Sequence, residues 1–323
     1  MEIEIRRIQR VGTSSLVVTL PKEWARKLGL EPGAQVMLID EDDGIKIKPV
    51  DRKGTRAVRL DLSRIPDNLA ASTPLCIYLS SISEAEVVFP SREAINEAKY
   101  LVLNLMGLQI YDSVDSNNVR IEVLLDPSKI DIPKLLRTLS VNVRETSELL
   151  RKALTGDRGD VAEKLNIART NFLRTHYIIL RYLAATYSEK GGVKTYQTAL
   201  STSYAGFALD LLQELIQIAP KLVKEGLSGE DMDKLMKIIE GIENSGDLLF
   251  RVLANPSVKR LVDLQSIVAE TRKLAEDLMV NADSREAAVL AGKLHDIVRL
   301  LIIAYYVAIC RVITEVSTRK SQG

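Results

Sequence analysis

At 323 residues the chain is long enough for two or three domains. Hydrophobic residues make up 46% and charged residues 27%, which excludes a disordered or fibrous protein. A formal net charge of +1 excludes a uniformly basic nucleic-acid coat, so any contact with a polyanion must come from a local patch.

Residues 1–50 are strand-like and rich in turns. Ser14, Leu16, Val18 and Leu20 alternate with Ser15, Val17 and Thr19, and this period of two predicts a strand. Pro21 breaks it and suits a helix start, where its fixed φ and missing N–H cost little. Glu23 lies near the positive end of that helix. Trp24 and Leu28, four apart, share a face, and Gly29 is a natural left-handed stop. Val36-Met37-Leu38-Ile39 is a second apolar strand, and Asp43-Gly44 signals a tight hairpin turn into Ile45–Lys48. A module this small buries little core by itself, so dimerisation is expected to be a condition of its folding.

A polar linker, residues 51–55, follows. Residues 56–125 read as a small α/β segment. Its strand candidates are Ala57–Leu60, Leu75–Leu79, Glu86–Phe89 and Val119–Val123. Ser91 caps a predicted helix over Arg92–Met106, ended by Gly107.

Residues 130–318 are almost entirely helical. Asp131 is a good N-cap with Pro133 in the first turn. Leu135, Leu139, Val143, Leu150 and Leu154 follow at helical spacing. Gly156-Asp157-Arg158-Gly159 ends that helix. A second is predicted over about 160–187, closed by Gly191-Gly192, and a third over about 195–224, closed by Gly226. Ser228 caps a fourth, ended by Asn255-Pro256. A fifth runs to about Val280, and Asn281–Ser284 starts a sixth. Two sets of three predict a pair of three-helix bundles, and the fold class is multidomain α+β.

Cys76 and Cys310 each sit in an apolar run and are expected to be buried, reduced thiols, as a reducing cytoplasm implies. The opening Met1-Glu2-Ile3-Glu4 lacks the apolar core of a signal peptide. The longest apolar run, Leu300–Cys310, falls short of the ~20 residues that span a bilayer. The expectation is a cytoplasmic protein without membrane insertion.

The stretch from Ile8 to Gly33 combines several features. Gly12-Thr13-Ser14 precedes an apolar strand ending in Pro21, and a short helix closes on Leu28-Gly29-Leu30 before Pro32-Gly33. In these it resembles the AbrB/MazE/SpoVT swapped-hairpin DNA-binding family over residues 1–50. That resemblance implies a dimeric swapped-hairpin β-barrel that binds double-stranded DNA. The helical region resembles PhoU, the phosphate-uptake regulator, in helix number and repeat, and the domain order is similar to that of archaeal PhoU-like regulators. That likeness implies a phosphate-related role. PhoU proteins carry metal-binding carboxylate pairs one helical turn apart. Here the matching positions hold Arg169 and Leu173, Leu209 and Gln213, and His295 and Arg299. The pair with the right spacing, Glu243 and Asp247, lies on the fourth helix, so metal binding is not carried over.

From Ile5 to Leu30 the basic residues are Arg6, Arg7, Arg10, Lys22, Arg26 and Lys27 against the single acid Glu23, six minus one or +5. Glu31, Asp40, Glu41, Asp42 and Asp43 then return the balance. Segregated basic charge is the footprint of phosphate contact. Arg6, Arg7 and Arg10 are the candidates for entering a groove, because a guanidinium reaches guanine O6 and N7 in bidentate fashion. Lys22, Arg26 and Lys27 are candidates for clamping the backbone. Thr13 and Ser14 can donate to phosphate, and turn formation explains them equally well. Trp24 fits the core of a small dimer better than a stacking platform.

Elsewhere the chemistry is sparse. His176 and His295 read as surface or satisfied helix residues. Gly191-Gly192 is a helix break rather than a phosphate loop, and no catalytic constellation stands out. The tyrosines at 177, 182, 187, 196 and 204 fit core packing or a partner surface, and the basic end Arg319-Lys320 fits a frayed terminus. The chain therefore reads as a transcriptional regulator, not an enzyme, with no cofactor implied. It would form a homodimer or higher homo-oligomer, and the resemblance to PhoU implies a phosphate-transport or signalling partner. Rival readings are an adaptor docking on a transporter or kinase, a DNA-organising protein bivalent along DNA, and an antitoxin, which usually has only a short tail.

Overall fold

The structure is a computed structural model describing residues 3–41, 44–50, 58–112, 116–126, 129–156, 159–190, 192–223 and 227–320. The linker 51–55, the turn residue Asp43, Asp157-Arg158, Gly191, Gly226 and the side chains of Arg319 and Lys320 lie outside the described residues. Chain contacts divide the molecule into two units, residues 1–55 and 56–323.

In the first unit the order is β1 (Gln9–Val11), β2 (Ser15–Val17), α1 (Lys22–Lys27), β3 (Val36–Glu41) and β4 (Gly44–Pro49). β1 and β2 pair antiparallel with Val11 opposite Ser15, leaving Gly12-Thr13-Ser14 as the hairpin tip. Gly12 has φ +68°, where a Cβ would be strained, and this lets so short a loop reverse the chain. The predicted strand over 14–20 is shorter here, since the backbone leaves the ladder after Val17 to reach Pro21, the residue before α1. β3 and β4 form a separate two-stranded sheet, with Leu38 opposite Ile47.

The second unit opens with a four-stranded sheet of order β5-β6-β8-β7. Its strands are β5 (Val58–Asp61), β6 (Glu84–Val88), β7 (Leu108–Asp112) and β8 (Asn118–Val123). β5 and β6 are parallel; the other pairs are antiparallel. Three helices cover it, α2 (Asp67–Ala70), α3 (Thr73–Leu79) and α4 (Arg92–Val102). Their shared core includes Ile77, Tyr78, Phe89 and Ile95. The expected strand over Leu75–Leu79 is therefore a helix. Pro74 in its first turn is the reason, because proline suits that position and removes a ladder donor from a central strand. The helix capped by Ser91 ends at Val102, short of Met106, and the chain turns through Gly107 at φ +77° into β7, a strand the sequence reading lacked.

Six long helices complete the unit. These are α5 (Ile132–Thr155), α6 (Val161–Lys190), α7 (Val193–Leu222), α8 (Gly229–Ala254), α9 (Val258–Asn281) and α10 (Arg285–Lys320). The caps follow side-chain chemistry. Asp131 accepts from the Lys134 amide at 3.0 Å, and Ser228 from the Asp231 amide at 3.1 Å. α6 packs on α5 and α7, and α9 packs on α8 and α10. The two triplets join along α5–α8 and α7–α10. They share one apolar core, running from Leu139 and Leu150 through Leu212 to Phe250, Leu278 and Ile297. The α/β segment is anchored to the helices by Arg181 of α6, which donates to the carbonyls of Tyr78 at 2.8 Å and Ile82 at 3.1 Å.

Cys76 and Cys310 are exposed and outside any disulfide, not buried. Each lies in an apolar run, but on a helix such a run turns one side outward every few residues. Among the described residues no helix is long and apolar enough to cross a membrane.

Candidate nucleic-acid interface

Every described residue from 3 to 50 is exposed or half-buried; none is buried. The eight candidates Arg6, Arg7, Arg10, Thr13, Ser14, Lys22, Arg26 and Lys27 are all exposed. The fold gathers them into three groups. Arg6 and Arg7 lie on the irregular segment before β1. The β1–β2 hairpin brings Arg10 close in sequence to the tip residues Thr13 and Ser14, and pairs Arg10 with Leu16. In α1 one helical turn separates Lys22 from Arg26, so they share a face, and Lys27 closes the helix.

Among the described residues the basic stretch Ile5–Leu30 is barely neutralised. Arg6 pairs with Glu4 at 2.6 Å, an acid just outside the basic stretch counted above. Among the described residues Arg7, Arg10, Lys22, Arg26 and Lys27 face no carboxylate partner. Exposed cations without carboxylates keep their full attraction for phosphate, since no internal ion pair has to be broken.

Apolar side chains are exposed beside that charge. On the β3–β4 ribbon Val36, Leu38, Ile45 and Ile47 lie on one face by register. Leu38 is 66% exposed and Ile45 73%. Leu16 and Leu28 are likewise uncovered, and Trp24 is only half-buried. Among its described side chains a single copy of this module thus has no buried core.

The other sequence candidates fall into different surroundings. His176 is buried with its Nδ1 atom lacking a hydrogen-bond partner, so it is neither a surface nor a satisfied histidine. Its surroundings are aromatic, Phe172 at 5.3 Å and Tyr177 at 6.0 Å between ring centroids, and burial pushes the imidazole down to about 4. His295 is half-buried, 3.4 Å from Glu276 of α9. Glu243 and Asp247 are both taken by arginines. Arg151 pairs with Glu243 at 2.5 Å, and Arg144 with Asp247 at 2.9 Å. Among the described residues no group of three or more His, Cys, Asp or Glu side chains could hold a metal ion. Glu4 was missed because charge counting along a window ignores a partner just beyond its edge.

No curated protein and no solved structure gives a significant match to the chain. Residues 9–55 match the family described as antidote-toxin recognition MazE, bacterial antitoxin. The first unit is therefore similar to a MazE-type antitoxin domain, and this similarity supports an N-terminal DNA-binding domain.

Proposed function

We propose that the protein is a DNA-binding regulator whose first unit dimerises as a swapped-hairpin barrel. One observation carries this reading: among the described residues, positions 3–50 hold no buried side chain, yet expose an apolar ribbon face and a nearly unpaired set of cations. Two kinds of exposed surface call for two kinds of partner. A second copy of the ribbon buries the apolar face, and duplex DNA neutralises the cations. Arg6, Arg7 and Arg10 are assigned to the groove, Lys22, Arg26 and Lys27 to the backbone, with Thr13 and Ser14 donating to phosphate from the hairpin tip.

The helical region is proposed to read a signal related to phosphate. The repeated packing of α5–α7 and α8–α10, each middle helix seated on its two neighbours, supports a PhoU-like arrangement. The likeness to an antitoxin family favours a second reading, in which a toxin protein is the partner; the large second unit, residues 56–323, would then be an addition to the usual short tail.

The test is fluorescence anisotropy of the full-length protein on labelled duplexes, with mass measured by light scattering. Wild type is expected to bind as a dimer. R6E/R7E/R10E should stay dimeric and lose at least tenfold in DNA affinity. L38K should lose the dimer and DNA binding together. Unchanged affinity in the triple variant would move the assignment to the adaptor reading, with the hairpin module serving dimerisation alone.

A further inference from the structure

We propose that a cleft between α5 and α8 binds a small phosphate-bearing anion. The cleft has a volume of about 400 Å³ and is lined by four arginines, Arg137, Arg144, Arg251 and Arg260. Arg137 and Arg144 lie two turns apart on one face of α5, Arg251 is on the last turn of α8, and Arg260 begins α9.

The arrangement is pre-built. Asp247 of α8 accepts from the Ser140 hydroxyl and from the guanidinium groups of Arg144 at 2.9 Å and Arg251 at 3.1 Å. These bonds hold its carboxyl below the usual carboxylate range against the opposing effect of burial. Arg260 is held by the Asn255 carbonyl at 2.9 Å. Arg137 is exposed and has no carboxylate partner among the described residues. Each guanidinium has five N–H donors, so one or two bonds per arginine leave several aimed at solvent. Four positive charges against one carboxylate leave the cleft at +3.

The chemistry of the occupant follows. All four cations are arginines, whose planar forks match phosphate in bidentate geometry. A concave site of this volume fits a small molecule rather than the extended backbone of a duplex. A net of +3 matches an oligophosphate or phosphate ester better than a monoanion. Its place also gives it leverage, because the cleft straddles the α5–α8 seam where the two helical triplets join. A ligand that engages arginines of both helices holds the triplets together. This site stands on its own geometry and does not depend on the DNA-binding reading.

The experiment is isothermal titration of full-length protein with inorganic pyrophosphate, orthophosphate and a nucleoside triphosphate, alongside thermal unfolding. At least one phosphate is expected to bind at one per chain and to raise Tm by several degrees at saturation. R6E/R7E/R10E should bind it unchanged, which separates this site from the first unit. R137E/R260E should lose at least tenfold in affinity. If the double charge reversal unfolds the protein, R137Q, at an exposed unpaired position, takes its place with a smaller expected loss. The proposal is overturned if none of the three anions binds, if binding ignores the cleft variants, or if R6E/R7E/R10E abolishes it. Loss of duplex affinity in R137E/R260E without any small-anion binding would make the cleft a nucleic-acid contact, and this too overturns it.

Discussion

The imidazole of His176 on α6 lies against the backbone of Gly206 on α7, so closely that a Cβ at position 206 would sit 2.4 Å from Cε1. Glycine is required there because the two helices approach across the ring. The ring cannot move aside easily, being buried and packed by Phe172 and Tyr177. Gly206→Ala is therefore expected to destabilise the protein by about 1–3 kcal/mol, the usual range for overpacking. Urea unfolding measures it. His176→Ala in the same chain should recover part of the loss, and strictly additive effects would show that the two residues do not meet.

The same burial sets a pH dependence. His176 is held neutral, with its pKa lowered from 6.5 to about 4 by loss of hydration. Between those values the unfolded chain takes up a proton that the folded chain refuses. Stability is full above pH 6.5, falls as the pH drops towards 4, and from this group falls no further below. The integrated loss is about 3 kcal/mol. Unfolding free energies from pH 7 to 4 for wild type and His176→Leu should diverge in slope across that window. Parallel curves would contradict a buried neutral imidazole.

Arg181 fastens the α/β segment to the helices. Its residue is 4% exposed and its Cζ lies 5.0 Å from the Tyr78 ring centroid, in addition to its two carbonyl bonds. Tyr78 itself donates to the Met106 carbonyl at 3.0 Å, and burial pushes its phenol up to about 12. Arg181→Ala removes both carbonyl bonds, leaving the Tyr78 oxygen the Ser81 amide alone, and is expected to destabilise by about 1–3 kcal/mol. Limited proteolysis should then cut first within residues 58–123. A wild-type cleavage pattern would mean the segment is held by apolar packing alone.

Phosphate contact by the first unit predicts a salt signature. Each phosphate neutralised steepens the dependence of log K on log salt by ~0.9. Replacing Lys22 or Arg26 by Ala should shallow the slope by about one contact per chain and weaken all duplexes alike, whereas replacing Arg7 or Arg10 should also narrow the difference between preferred and other sequences. Binding isotherms from 50 to 300 mM salt read both. A slope unchanged by these substitutions would place the contacts elsewhere.

Local chemistry made much of this protein legible in advance. Ser91, Asp131 and Ser228 cap helices through bonds to amides three residues on, and such bonds depend on nothing distant. The order of strand, helix, strand and strand over residues 15–49 was equally local. Leu75–Leu79 was misread because a short apolar run fits a strand or a buried helix turn equally, until Pro74 is weighed. The cysteines were misplaced for a related reason: apolar neighbours along the chain do not say which way a helix faces.

By itself the sequence determined where the six long helices begin and end and where basic charge gathers, since those features arise between residues a few positions apart. Only the tertiary structure decided that His176 is buried over Gly206, that Arg181 bridges two subregions, and that Arg137, Arg144, Arg251 and Arg260 share one cleft. Those groupings join residues far apart along the chain, and helix packing brings them together through apolar faces that carry no record of which polar neighbours will meet.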